Sequence, residues 1–88
     1  MKLNIETVKK VAEVAELIGE GSHIQINSHF YKSYEEAQKD ALMVSEALGY
    51  GITEGNRNGT GWFQLRDKPY GNTVEISLYY SYESKVTI

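Results

Sequence analysis

Two segments in the first half of the chain show the apolar periodicity of amphipathic helices. Between residues 5 and 18, apolar side chains recur at three- and four-residue spacing: Ile5, Val8, Val11, Ala12, Ala15 and Ile18. Asn4 is a suitable N-cap, and Gly19 follows the predicted end. A second stripe consists of Tyr34, Ala37, Ala41, Val44 and Leu48. Ser33 and Glu36 have the spacing of a capping box before this second helix, and Gly49 ends it.

Elsewhere apolar and polar residues alternate, which predicts strands. In residues 23–30 one face carries Ile24, Ile26 and Phe30, and the other carries His23, Gln25, Asn27 and His29. Residues 50–54, 60–66 and 73–82 are predicted as a β-meander, with turns at 55–59 and 68–71. Residues 85–88 are expected either to add a short edge strand or to fray.

This order predicts one α+β domain over residues 1–88. Because helices and strands are each apolar on one side, we expect a two-layer sandwich, order α-β-α-β-β-β. Its two helices cover one face of a mainly antiparallel sheet of three to five strands. The expected buried set is Val8, Val11, Ala15, Ile24, Ile26, Ala37, Ala41, Val44, Phe63, Leu65, Val74, Ile76 and Leu78.

Composition and charge exclude several classes of protein. The 88 residues carry 9 basic and 12 acidic side chains, and this net charge of −3 argues against a nucleic-acid binder that depends on phosphate contacts. Without Cys, neither a disulfide framework nor a cysteine zinc site is expected. No apolar run approaches the length of a membrane helix, and the first residues lack the apolar region of a signal peptide. We therefore expect a cytoplasmic protein that does not bind membranes.

No motif points to catalysis or to a bound cofactor or metal. His23 and His29 are the only histidines, and six residues of regular strand hold them too far apart to share one metal ion. Residues 55–61 are glycine-rich but lack the Lys-Ser/Thr of a P-loop, so a hairpin loop is the preferred interpretation, with Arg57 at its tip. We expect no catalytic residues, no metal and no cofactor.

The aromatic residues give the clearest hint of function. Trp62 and Tyr79 fall on the strand faces opposite the predicted core, and Trp, Tyr and Arg are common anchors of protein interfaces. Cross-strand aromatic pairing or a strand phase shifted by one residue would also explain them. The resulting candidate protein-binding residues are Trp62, Gln64, Tyr79, His23, Gln25, Asn27, His29 and Arg57.

The first functional hypothesis is a small, acidic, non-enzymatic module that binds another protein through its open sheet face. Phage and mobile-element inhibitors, antitoxins and immunity proteins share this size and charge, and the analogy extends no further. One alternative is a self-associating homodimer. Another is a small enzyme or ligand binder with a pocket between helices and sheet.

Overall fold

The computed structural model describes residues 4–18, 23–28, 30–68 and 74–86. Its elements are α1 (Ile5–Ile18), β1 (Ile24–Asn27), α2 (Tyr34–Leu48), β2 (Gly51–Arg57), β3 (Thr60–Arg66), β4 (Val74–Ser81) and α3 (Tyr82–Val86). The α+β fold and the order α-β-α-β-β-β are therefore confirmed, with a short third helix added at the end. The predicted turn at 68–71 and the predicted helix stop at Gly19 lie largely or wholly outside the described residues.

The four strands form one mixed sheet in the order β1-β4-β3-β2. Strands β2, β3 and β4 are an antiparallel meander, whereas β1 pairs with β4 in parallel. A two-residue turn, Asn58-Gly59, joins β2 to β3, and both residues have positive φ, 52° and 83°. Positive φ at both positions is the geometry of a type I′ turn, which favours Asn-Gly. The predicted loop over residues 55–59 is thus corrected: β2 extends through Arg57.

Helices α1 and α2 both contribute to one core on one side of the sheet. Val8 and Ala15 of α1 and Ala37, Ala41 and Val44 of α2 are buried together with the inward residues of the strands. The strand contribution is Phe63, Leu65, Val74, Ile76, Leu78 and Tyr80. From the predicted buried set, Val11, Ile24 and Ile26 are only partly buried and pack against this core.

Local capping fixes where α2 begins and ends. The side chain of Ser33 accepts a hydrogen bond from the N–H of Glu36 at 3.2 Å, as the sequence predicts. Gly49 is left-handed, with φ 73°, and its N–H donates to the carbonyl of Ser45. Both ends of α2 therefore lie within one residue of the predicted positions.

Phe30 is the one apolar residue of the first predicted strand that the structure places on the wrong side. Strand β1 ends at Asn27, although the N–H of Ser28 still donates to Ser77 and that of Tyr31 to Tyr79. Tyr31 then packs against the core and donates through its hydroxyl to Asp40 at 2.8 Å. Since Tyr31 takes the inward position, Phe30 is left 64% exposed.

The described part of the predicted edge strand, residues 85–86, is helical, and residues 87–88 lie outside the described residues. Strand β4 ends at Ser81, and residues Tyr82–Val86 form α3. Lys85 of α3 forms an ion pair with Glu54 of β2 and lies 5.0 Å from the centre of the Tyr34 ring. These contacts tie the short helix to the helical side of the sheet.

Candidate functional site on the open face of the sheet

Strand register arranges the side chains of the sheet's open face, the side away from α1 and α2, into rows that run across the strands. Directly opposed residues project to the same side, so each row follows from the pairing. From one end of the sheet to the other, the rows are Arg57-Thr60-Ser81, then Gly55-Trp62-Tyr79, then Thr53-Gln64-Ser77-Asn27, then Gly51-Arg66-Glu75-Gln25.

Three aromatic rings form a band across this face, which we call the aromatic band: Phe30, Tyr79 and Trp62. Tyr79 and Trp62 are directly opposed on β4 and β3, and the Phe30 and Tyr79 ring centres are 6.1 Å apart. The Tyr79 hydroxyl donates to Oδ1 of Asn27 at 3.2 Å. The Trp62 indole lies over Gly55 so closely that a Cβ there would be 2.7 Å from it. Glycine at position 55 is thus what lets the indole lie flat on the neighbouring strand.

Glu75 organises the polar row at the far end of the face. Its Oε1 accepts from Nε2 of Gln64 at 2.9 Å and from Nε2 of Gln25 at 3.3 Å. Its Oε2 accepts from Nε of Arg66 at 3.1 Å, and Arg66 also donates to Oε1 of Gln64 at 2.6 Å. The Glu75 side chain is only 12% exposed and that of Arg66 is 38% exposed. The network therefore holds two amides and one guanidinium in fixed positions on three strands.

A cleft of about 440 Å³ opens beside this network, at the end of the β2-β3 hairpin. Open-face residues Gly51, Thr53, Gln64 and Arg66 line it, and its remaining walls are Gly49, Ile52, Asp67 and Lys68. Asp67 is held in place, because its Oδ1 accepts the N–H of Val74 at 3.1 Å. The cleft thus presents two cationic side chains, Arg66 and Lys68, next to the aromatic band.

Charge is divided between the two layers. Helices α1 and α2 carry seven acidic and three basic residues. Among the described residues of the open face and its cleft, three are basic (Arg57, Arg66 and Lys68) and two are acidic (Asp67 and Glu75). The acidic excess of the chain therefore lies on the helical layer, away from the aromatic band.

Six of the eight predicted binding residues lie on this face: Trp62, Gln64, Tyr79, Gln25, Asn27 and Arg57. Arg57 ends β2 one row beyond Trp62 and is exposed. His23 is also exposed but precedes β1, so it is outside the paired rows. His29 lies outside the described residues.

Three members of the face are absent from the predicted binding residues, although alternation puts Glu75 and Arg66 on the outward side of their strands. Glu75 and Arg66 have the right alternation, but only the register across β3 and β4 shows that they meet. The sequence predicts Phe30 on the inward side because the alternation continues as a regular strand up to residue 30. No signal in the sequence marks the point after Asn27 where β1 stops.

The described part of the chain contains no group of three or more His, Asp or Glu side chains placed to hold a metal ion. No described helix is long and apolar enough to span a membrane. Comparison of the chain with protein-family models, characterised proteins and solved structures gives no match.

Proposed function

We propose that this chain is a non-enzymatic module that binds another protein on the open face of its sheet. The observation that carries the proposal is the aromatic band. Its outer ring, Phe30, is 64% exposed, and Tyr79 and Trp62 continue it across two strands as half-buried side chains. A partner that covers the band removes three aromatic surfaces from water, which is the usual energetic centre of a protein interface.

The polar surroundings of the band also suit a protein partner. Glu75, Gln64 and Arg66 are already fixed by their mutual hydrogen bonds, so little side-chain entropy is lost when a partner docks beside them. Interfaces commonly combine such an aromatic centre with a polar rim. By analogy of size and charge, the proposed class is an inhibitor, antitoxin or immunity-type protein of a phage or mobile element that acts in the cytoplasm.

The first test is affinity capture from the native host with the wild-type chain and with Trp62→Ala and Tyr79→Ala. Calorimetry on the captured partner should then show each variant binding at least about thirtyfold more weakly, equivalent to about 2 kcal/mol, while circular dichroism shows an unchanged fold. Leu42→Ala is the matched control, because Leu42 is an exposed apolar residue on α2, with 48% exposure. Equal binding by all variants would disprove the proposal.

Self-association through the same face is the competing function. Light scattering after gel filtration separates the two: a stable dimer that dissociates on Trp62→Ala would show that the partner is a second copy. A monomer that binds its captured protein through the aromatic band supports the proposal as stated.

A further inference from the structure

Among the described residues, strand β2 is an open edge of the sheet. It ends the strand order β1-β4-β3-β2, and all seven of its residues pair with β3 on one side only. The other edge strand, β1, has four residues. Natural proteins protect long edges with proline, bulges, charged side chains or short strands. Strand β2 has no proline and no break in register, and of its two charged residues Glu54 is paired with Lys85 and Arg57 is its last residue. Its outer row of backbone N–H and C=O groups can therefore pair with an added strand.

Gly51 has no explanation in the fold of the described residues. Its φ is not in the left-handed region that favours glycine, and a Cβ at this position would have no neighbour within 4 Å. Glycine weakens a strand and often marks a place where another backbone or a ligand approaches closely. At Gly51 the missing side chain leaves Arg66, directly opposed on β3, uncovered from the edge. Gly51 also lines the cleft.

Gly55, four residues further along β2, gives the same access to Trp62. The indole lies over Gly55, so no side chain of β2 separates it from the edge. Along β2, the open face thus shows an aromatic surface at Gly55, a small polar side chain at Thr53 and a cationic cleft at Gly51. Residues two apart on a strand are about 6.6–6.8 Å apart, so an added strand meets these features with every second side chain.

We propose that β2 accepts an extended, acidic segment of the partner protein by strand addition. The segment carries an apolar or aromatic residue that lies on Trp62 and, four residues later, a carboxylate that enters the cleft at Arg66 and Lys68. That order corresponds to antiparallel addition, which is slightly more stable per residue than parallel pairing. The proposal rests on the proposed function and specifies which part of the partner is recognised.

Charge favours an acidic occupant of the cleft. Arg66 donates its Nε to Glu75, yet 38% of its side chain is exposed, and Lys68 beside it is exposed as well. A carboxylate that reaches both would form charge-assisted hydrogen bonds in a partly desolvated cleft. Asp67 also lines the cleft, but its Oδ1 accepts the N–H of Val74, and the acidic helices lie on the other side of the sheet.

The probe is a capped synthetic peptide that contains Tyr-Thr-Val-Thr-Glu between Gly-Ser flanks. In an NMR titration of the full chain, we expect saturable binding below about 1 mM, with the amide shifts concentrated at residues 51–55. The control peptide Tyr-Thr-Val-Glu-Thr places the carboxylate on the opposite side of the added strand. It should bind at least about tenfold more weakly, because its carboxylate cannot enter the cleft.

Gly51→Val is the decisive variant of the protein. A branched side chain suits a strand, so the variant should fold with unchanged or higher thermal stability. Its side chain enters the cleft beside Arg66, so binding of the probe should weaken at least about tenfold. Asn56→Val is the matched control, since Asn56 is an exposed residue of the same strand on the opposite side. Its affinity should equal that of the wild type. Gly51→Ala serves the same test if Gly51→Val does not fold.

Absence of saturable probe binding, or equal probe affinity in wild type and Gly51→Val, would overturn strand addition. Binding measurements with the captured partner distinguish strand addition at β2 from the proposed binding on the open face. If Trp62→Ala lowers the affinity for the partner and Gly51→Val does not, the open face binds the partner and strand addition is wrong. If neither variant lowers the affinity for the partner, both proposals are wrong.

Discussion

Gly61 and Gly55 allow a test of how firmly each aromatic ring is held in this fold. Both glycines are in paired strands, and each is covered by an aromatic ring: Gly61 by Tyr80 on the core side and Gly55 by Trp62 on the open face. A Cβ at Gly61 would lie 2.4 Å from Cε2 of Tyr80, and one at Gly55 would lie 2.7 Å from the Trp62 indole. Alanine at either position therefore requires the ring to move.

The two rings differ in their freedom to move. Tyr80 is fully buried and is backed by Tyr34 and Phe63, at ring-centre distances of 5.1 and 5.4 Å. We therefore expect Gly61→Ala to cost about 3 kcal/mol, the upper end of the usual range for an overpacked core. Trp62 has solvent on one side and can tilt outward, while alanine itself favours the strand by up to about 1 kcal/mol. Gly55→Ala should thus change the free energy of unfolding by less than about 1 kcal/mol.

Urea denaturation followed by far-UV circular dichroism measures the difference. With an m-value of about 1–1.5 kcal/mol/M, the midpoint of Gly61→Ala should fall by about 2 M or more, and that of Gly55→Ala by less than about 1 M. A total stability of about 4–13 kcal/mol is expected for this length, so the loss is a large fraction of it. Equal midpoints for the two variants, or a lower one for Gly55→Ala, would show that the Tyr80 ring is not fixed as described.

Three further predictions concern the helix cap and the buried hydroxyl groups. Ser33→Ala should lower the free energy of unfolding by about 0.5–2 kcal/mol, because the N–H of Glu36 loses its acceptor; denaturation at neutral pH measures this. Tyr80→Phe should leave stability unchanged or raise it, since the buried Tyr80 hydroxyl has no hydrogen-bond partner among the described residues. Burial raises the pKa of Tyr80 and of Tyr50 above 10.0. The unfolded chain therefore releases these protons at lower pH than the folded chain, so the free energy of unfolding should fall as the pH rises above about 10. The fall should be less steep in Tyr80→Phe. Melting temperatures measured over a pH series test this, and a melting temperature that rises above about pH 10 would contradict it.

Helices α1 and α2 and strand β3 could be predicted from the sequence because their signals are local. The periodicity gave the bounds of α1, the capping box gave the start of α2, and the alternation around Phe63 and Leu65 gave β3. Each of these signals depends on residues within one or two turns, or within one strand. They were therefore independent of how the elements are arranged in space.

The sequence-based predictions are wrong where pairing between distant strands outweighs the local conformational preference of the residues. Gly55 and Asn56 are poor strand formers, which is why a loop was predicted there, yet both are paired with β3 and Gly55 also supports the Trp62 ring. Residues 85–88 are predicted to form an edge strand or to fray, whereas residues 85–86, the described part, belong to a helical turn in which Lys85 contacts Glu54 and Tyr34. None of these partners is a neighbour in the sequence.

In the candidate site too, the features that depend on one strand could be predicted from the sequence, and those that depend on pairing between strands could not. Alternation alone placed Trp62, Gln64 and Tyr79 on the open face, because it needs only the parity of each strand. The Glu75 network and the cleft required the pairing of three strands, including the parallel pairing of β1 with β4, which no local pattern specifies.

That parallel pairing also determines the order in which the chain can assemble. Ile24 pairs with Val74, and Gln25 reaches Glu75 across 50 residues of sequence, whereas β2, β3 and β4 are joined by short connections. Contacts between distant segments form slowly because a large loop must close first. We therefore expect α2 and the meander to form a folding nucleus onto which α1 and β1 dock last. During synthesis on the ribosome, β1 must wait without its strand partner until the residues of β4, 50 positions later in the sequence, have emerged.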